Sequence, residues 1–222
     1  MNKSKIDVII PIQDIYEYLE ETLDSIFNQR EVSCFVTLVD AGSKIPIEIP
    51  EKFKEYASIQ IFRSEIPLTA GGARNLGMQK TSCSVVSFLD ADDTWPPERC
   101  IKLLNVLQEN EKKLALGLLH NFYSDEDSKY LKLPESGQPA YLAGGVMFNR
   151  ELWNTVGEFD YKLNPGEFLD WFQRIKKKNI PFQIIDSISL NRRIHRKSTT
   201  ANQIENRTDY IKVVRTWMNQ KN

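Results

Sequence analysis

Val85-Val86-Ser87-Phe88-Leu89-Asp90-Ala91-Asp92-Asp93 passes from an apolar run to three carboxylates within four residues. The apolar part reads as a buried strand that delivers Asp90 at its C-terminal end. Packed this closely, the carboxylates repel one another and favour a shared proton or a shared cation. Hard oxygen ligands of this kind suit Mg²⁺ or Mn²⁺, with substrate phosphates completing an octahedral shell. Taken alone, the segment also fits an acidic turn leading into a helix near Pro96-Pro97-Glu98.

Upstream lies a second run of the buried-strand type, Ile6 to Ile12, closed by Pro11. Asp14-Ile15-Tyr16-Glu17 has the form of a helix start, with a carboxylate N-cap and a glutamate three residues on. Ile15, Leu19, Leu23, Ile26 and Phe27 make the apolar stripe of that helix. Cys34 to Asp40 and Ile59 to Arg63 read as further strands; the first ends in Ala41-Gly42-Ser43, and the second leads through Pro67 to a helix from about Gly71-Gly72. Strand, helix, strand in this rhythm predicts an α/β domain with a parallel sheet and right-handed crossovers. Ligands of such open sheets bind outside the carboxyl ends of the strands, so Asp40 and Asp90 are expected on one rim.

The second half is less regular. Leu114 to Tyr123 and Gly144 to Asn149 read as strands, with a polar hairpin or loop from Ser124 to Gln138. Phe168, Trp171, Phe172 and Ile175 recur at helical spacing, and Lys176-Lys177-Lys178 suits that helix's C-terminus. Two β stretches follow, near Phe182 to Asp186 and Ile188 to Ile194. A final amphipathic helix carries Tyr210, Ile211, Val214, Trp217 and Met218 on one face.

Composition narrows the function classes. The 222 residues are 41% hydrophobic and 27% charged, enough for an ordinary globular core. Lys plus Arg (29) nearly cancels Asp plus Glu (30), so a net charge of −1 gives no long-range field for nucleic acid or anionic membrane. Three cysteines, Cys34, Cys83 and Cys100, form neither a zinc pattern nor a disulfide framework. No stretch reaches the roughly 20 apolar residues of a bilayer span, and Met1 to Lys5 leads straight into a strand with no room for a signal peptide. A cytoplasmic protein is expected, with peripheral membrane attachment left open.

Several segments occur in a telling order: Val8-Ile9-Ile10-Pro11, Leu19-Glu20-Glu21-Thr22-Leu23 with Ser25-Ile26-Phe27-Asn28-Gln29, Val39-Asp40-Ala41-Gly42-Ser43, Gly72-Ala73-Arg74-Asn75-Leu76-Gly77, and Phe88 to Trp95. Together they resemble the family 2 glycosyltransferases. Gly157-Glu158-Phe159-Asp160 and Gly166-Glu167-Phe168-Leu169-Asp170-Trp171 resemble that family's acceptor-side segments, and Arg192-Arg193-Ile194-His195 its C-terminal Arg-x-His element. The resemblance runs from about Ile6 to Thr200. It implies a single GT-A domain over residues 1–222, with a Rossmann-like mixed, mainly parallel sheet flanked by helices. Residues 1–95 would form a nucleotide-binding half, 96–200 an acceptor-side half, and 201–222 a C-terminal helix.

The resemblance also implies roles. Asp90 would contact the donor ribose. Asp92, with or without Asp93, would hold Mn²⁺ or Mg²⁺, with His195 as a further ligand. Pro11, Ile12 and Asp40 would flank the nucleotide base. Arg74, near a helix start, would meet the diphosphate. Arg192 or Arg193 would neutralise the leaving group; strand alternation lets only one of them reach it, and Arg193 is taken as that one. The implied reaction is inverting transfer from a nucleotide-sugar to an acceptor hydroxyl, the acceptor being a saccharide, lipid-linked sugar or peptide.

Two departures stand out. Ala41 replaces a second family acid beside Asp40, so UDP- and dTDP-linked donors both stay open. Glu167-Phe168 replaces the family's Glu-Asp, whose Asp serves as base; Glu167 becomes the first candidate base and Asp170 the second. A nucleotidyltransferase would need a glycine-rich basic loop after the first strand, which Ile12-Gln13-Asp14-Ile15 does not supply. A degenerate domain acting as a nucleotide- or partner-binding module is the alternative, and the final helix offers a homodimer seam as one of its uses.

Overall fold

Ile6, Val8, Ile9, Ile10 and Ile12 are all buried, although neighbours in a strand face opposite ways. That is possible only where both faces of a sheet are covered. The structure is a computed structural model and describes residues 3–14, 16–109, 111, 113–124 and 135–195. Its elements are β1 (Ser4–Ile12), α1 (Leu19–Phe27), β2 (Val32–Asp40), β3 (Ile59–Arg63), α2 (Ala70–Gln79), β4 (Val85–Phe88), α3 (Arg99–Glu109), β5 (Leu114–Tyr123), β6 (Val146–Asn149), α4 (Arg150–Val156), α5 (Glu167–Lys177) and β7 (Phe182–Ile194).

Seven strands form one sheet in the order β3-β2-β1-β4-β6-β5-β7. β1 pairs in parallel with β2 and β4, and β2 with β3. β6 is antiparallel to both β4 and β5, while β5 and β7 are parallel. The C-terminal ends of β1, β2, β3, β4, β5 and β7 therefore share one rim. The expected mixed, mainly parallel sheet is the one found.

Two apolar layers sandwich the sheet. On one face Ile6, Val8, Ile10 and Ile12 pack with Leu19, Leu23 and Ile26 of α1 and Leu103, Leu104 and Leu107 of α3. On the other, Ile9, Val39 and Phe88 pack with Ala73 and Met78 of α2, Trp153 of α4 and Trp171 and Ile175 of α5. α2 presses close to β1 because Gly77 has no side chain: a Cβ there would come within 2.3 Å of Ile9 Cγ2.

Some expectations shift. Asp14 does not cap α1, which starts at Leu19 after Tyr18 with no side-chain cap. Asp14 instead adopts φ 59° and receives the Lys44 N–H on Oδ1 at 2.8 Å, so its carboxylate closes a loop on the rim. The two final β stretches are one strand, β7, whose pairing with β5 slips between Leu116 and Leu119. Gly144-Gly145 belong to a 3-10 turn rather than to β6, and α4 was not foreseen. Ile15, most of the Ser124 to Gln138 stretch and the final helix through Trp217 lie outside the described residues.

Candidate active site

At the exit of β2, Asp40 is buried and its oxygens are engaged from within. Oδ1 accepts the Ser43 N–H at 2.8 Å, while Oδ2 accepts the Ile47 N–H at 3.2 Å and Arg63 Nη1 at 2.5 Å. Burial alone would raise its pKa; the Ser43 backbone and hydroxyl, the Ile47 N–H and Arg63 outweigh it and hold the carboxyl below its usual range. Gly42 allows the turn, with φ +82° and the Ile66 backbone only 2.9 Å from where a Cβ would sit. Beside it, the Ala41 N–H donates to the Ile12 carbonyl at 2.8 Å. Pro11, Ile12 and Asp40 thus meet at adjoining strand ends.

The exit of β4 is different. Asp90 has 45% of its side chain exposed, and Asp92 23%. Asp93 is buried, and its Oδ1 accepts the Arg193 N–H at 2.9 Å. Burial first, then the charges of Asp92 and Asp90, push Asp93 well above the carboxylate range, and the Arg193 N–H only partly opposes this.

A polar stripe on α1 and its C-terminal flank fastens this segment. Thr22 Oγ1 donates to the carbonyls of Ala91 and Asp93, at 3.0 and 2.8 Å. Ser25 Oγ accepts the Trp95 N–H at 3.1 Å, and Gln29 bonds the Pro96 carbonyl and the Cys100 N–H at 2.8 and 2.9 Å. Trp95 is buried beneath, donating from Nε1 to the Gly144 carbonyl at 3.0 Å, with the buried Arg99 guanidinium 3.9 Å from its ring. Trp95 thus packs under the loop, 3% exposed.

β7 brings its exit to the same place. His195, 1% exposed, sets Nε2 2.8 Å from Asp92 Oδ2. Arg193 turns its guanidinium toward the loop and α1: Nε donates to the Asp92 carbonyl at 2.9 Å, and Nη2 pairs with Glu21.

On the other side of Asp90, Arg74 is buried between two acids. Nη2 donates to Asp90 Oδ1 at 2.5 Å and Nη1 to Glu167 Oε1 at 2.7 Å. Burial disfavours its charge, but Asp90 and Glu167 more than offset this and raise its pKa, so it stays a cation. Phe88 and Phe159 floor it, with ring centroids 6.0 and 5.9 Å away. Glu167 Oε2 also accepts the Gly166 N–H at 3.0 Å. Phe168 is buried in the aromatic layer, and Asp170 accepts from Arg174 Nε at 3.0 Å within α5.

The rim therefore gathers Arg74, Asp90 and Glu167 in one charge network, with Asp92 and His195 beside it. Asp93 faces inward, and Asp170 stands in a separate pair. Among the described residues no group of three or more His, Cys, Asp or Glu is gathered as a closed metal site. An open pair such as Asp92 and His195 suits Mg²⁺ or Mn²⁺, which keep positions for phosphate oxygens and water. The residues present fit such an ion. Tyr18 and Phe122, whose rings flank the Arg193 guanidinium, and Glu21 and Thr22 were not singled out as site residues from sequence; for Tyr18 and Thr22 the signal available was their spacing with Ser25 and Gln29, a polar stripe at helical period.

The profile of the family described as Glycosyl transferase family 2 matches residues 7–199. An uncharacterized glycosyltransferase of Rickettsia bellii (strain RML369-C) is 31% identical over 142 residues, covering 62% of this chain and 20% of the relative. Glycosyltransferase GlyA of Streptococcus pneumoniae is 28% identical over 130 residues, covering 58% of this chain and 19% of GlyA. The chain thus spans about a fifth of the length of these two curated relatives. Among solved structures, S. aureus TarS 1–349 in complex with UDP-GlcNAc matches with a TM-score of 0.72 at 17% identity, over 89% of this chain and 61% of that one. S. aureus TarS gives 0.73 at 17% identity, over 96% and 38%. The likeness shows the expected GT-A fold. Among the described residues no helix is long and apolar enough to cross a membrane.

Proposed function

The chain belongs to glycosyl transferase family 2, and on that premise we propose that it moves a glycosyl group from a nucleotide-sugar donor to an acceptor hydroxyl. A divalent cation, Mn²⁺ or Mg²⁺, would be held by Asp92 and His195. The observation that carries this reading is the Arg74–Asp90–Glu167 network lying beside the Asp92–His195 pair on one strand-end rim. Asp90 takes the ribose, the buried Arg74, expected from sequence at the diphosphate, instead holds Asp90 and Glu167 in place, and the strand ends at Pro11, Ile12 and Asp40 border the base. When bound, the cation neutralises the departing diphosphate. Inversion needs one carboxylate at the acceptor hydroxyl. Glu167 is the base in this reading, because it shares Arg74 with Asp90, and Asp170 is second.

TarS was solved with UDP-GlcNAc and with UDP, which supports a nucleotide-sugar as the donor class. Ala41 keeps dTDP-sugars beside UDP-sugars. The test is a hydrolysis and transfer screen of both donor classes with Mn²⁺ and Mg²⁺, wild type against Asp92→Ala. Turnover that depends on the metal and is lost in the variant is expected; equal turnover in both proteins sinks the metal role.

Phe168, buried where the family places its base, favours a second reading: a nucleotide-binding module without turnover. Metal-dependent binding of nucleoside diphosphates with no hydrolysis of any donor would favour it.

A further inference from the structure

Arg193 is 7% exposed and held on all sides. Its guanidinium carbon lies 4.3 Å from the Tyr18 ring centroid and 4.6 Å from that of Phe122, a cation between two aromatic rings. Nη2 pairs with Glu21 of α1, and Nε donates to the Asp92 carbonyl at 2.9 Å. The same residue's backbone N–H holds the Asp93 carboxylate at 2.9 Å. Two residues further along, His195 meets the Asp92 carboxylate and packs on Tyr18, ring centroids 5.2 Å apart.

We infer that Arg193 is a positioning residue, braced by Glu21, Tyr18 and Phe122, that sets Asp92 for the cation instead of binding the donor diphosphate. The inference rests on the proposed cation at Asp92 and His195. A diphosphate contact would require the guanidinium to leave two ring faces, Glu21 and the Asp92 carbonyl together. Where it stands, it fixes the chain immediately after the Asp92 side chain, the Asp92 carbonyl through Nε and the Asp93 carboxylate through its N–H, while Thr22 Oγ1 holds the Ala91 carbonyl just before it. Thr22 Oγ1 holds the same loop from α1, so the loop is clamped between α1 and β7. Groups that orient a metal ligand typically change metal affinity by about tenfold to a hundredfold when removed.

The experiment measures Mn²⁺ uptake from the electron paramagnetic resonance signal of the free ion, in the presence of UDP and in a second series of dTDP. The proteins are wild type, Glu21→Gln, Arg193→Lys and Arg193→Met. Nucleotide affinity in EDTA is measured alongside, with thermal unfolding as a check of folding. Glu21 is 57% exposed on its side chain, so Glu21→Gln breaks the brace without opening a cavity. Expected is a Mn²⁺ affinity about tenfold or more weaker in Glu21→Gln and Arg193→Met, with partial rescue in Arg193→Lys and unchanged nucleotide affinity in EDTA. Folded variants that take up Mn²⁺ like wild type overturn the inference alone, as does a fall in metal-free nucleotide affinity matching the fall in Mn²⁺ affinity. Wild type that takes up no Mn²⁺ with either nucleotide overturns the proposed cation site and the inference with it.

Discussion

Two carboxylate groups stand on one rim, at the exits of β2 and β4, and they are solvated in opposite ways. Asp40 receives two backbone N–H groups and a guanidinium, and it is buried. Asp90 and Asp92 stay partly open to solvent, Asp90 facing Arg74 and Asp92 facing His195. Both groups read as acidic strand ends in the sequence. The difference shows that charge on a ligand-binding rim is not itself a ligand site. What matters is whether the oxygens are already satisfied from inside the protein.

The largest expected effect falls on the bridge between the open acids and the base candidate. Arg74→Met leaves the mostly buried Glu167 without its cation beside the half-exposed Asp90, and breaking the buried Arg74–Glu167 pair costs about 3–5 kcal/mol. Chemical denaturation should show that loss together with loss of turnover; full stability in the variant would detach Arg74 from the network.

Asp92→Ala should act mainly on turnover, costing about 1 kcal/mol of stability through the lost His195 partner and cutting transfer by about a hundredfold to a thousandfold, as for loss of one electrostatic contact in a transition state. Donor kinetics at matched folded fraction is the check, and a large stability loss would place Asp92 with Asp40 as structure.

Asp40→Asn should do the reverse, costing about 1–3 kcal/mol by leaving donors mispaired. The sign with pH is defined. A carboxyl held below its ordinary value stabilises the fold above that value, and the contribution fades as pH falls through it toward the lower folded value. Acid unfolding of wild type should therefore carry a component that Asp40→Asn lacks. Parallel acid profiles would show that Asp40 is not stabilised in this way.

The smallest effect is expected at Asp170, whose partly exposed pair with Arg174 is worth about 0.5 kcal/mol. Asp170→Asn should leave turnover near wild type while Glu167→Gln lowers it; the opposite ranking in a transfer assay would make Asp170 the base.

Much of the layout is legible in the sequence. Ile59–Arg63 and Leu114–Tyr123 are strands within the boundaries expected, the first an edge strand that alternates apolar with polar residues over Ile59, Gln60 and Ile61 and the second apolar and covered on both faces over Leu114, Ala115 and Leu116. Asp90 and His195 come to one rim because strand ends in such a sheet converge, and Arg74 joins them because α2 starts at that rim after β3. Less was legible around α1. Asp14 and Glu17 fit a helix start by spacing, yet a bond to Lys44, thirty residues on in the chain, takes the Asp14 carboxylate. The antiparallel direction of β6 was hidden as well, since a four-residue apolar run carries no mark of orientation.

The order of residues by itself determined which segments are apolar on both faces, and so where the strands end and which acids, arginines and histidine stand at those ends. Only the tertiary structure decided what each of those groups does with its charge. Asp93 turns inward to the Arg193 N–H while Asp92 stays on the rim, and Arg193 spends its guanidinium on α1 and the loop. The physical reason is that a strand's alternation is local, whereas satisfying a buried charge depends on partners up to 172 residues away in the chain, as the Glu21–Arg193 pair shows.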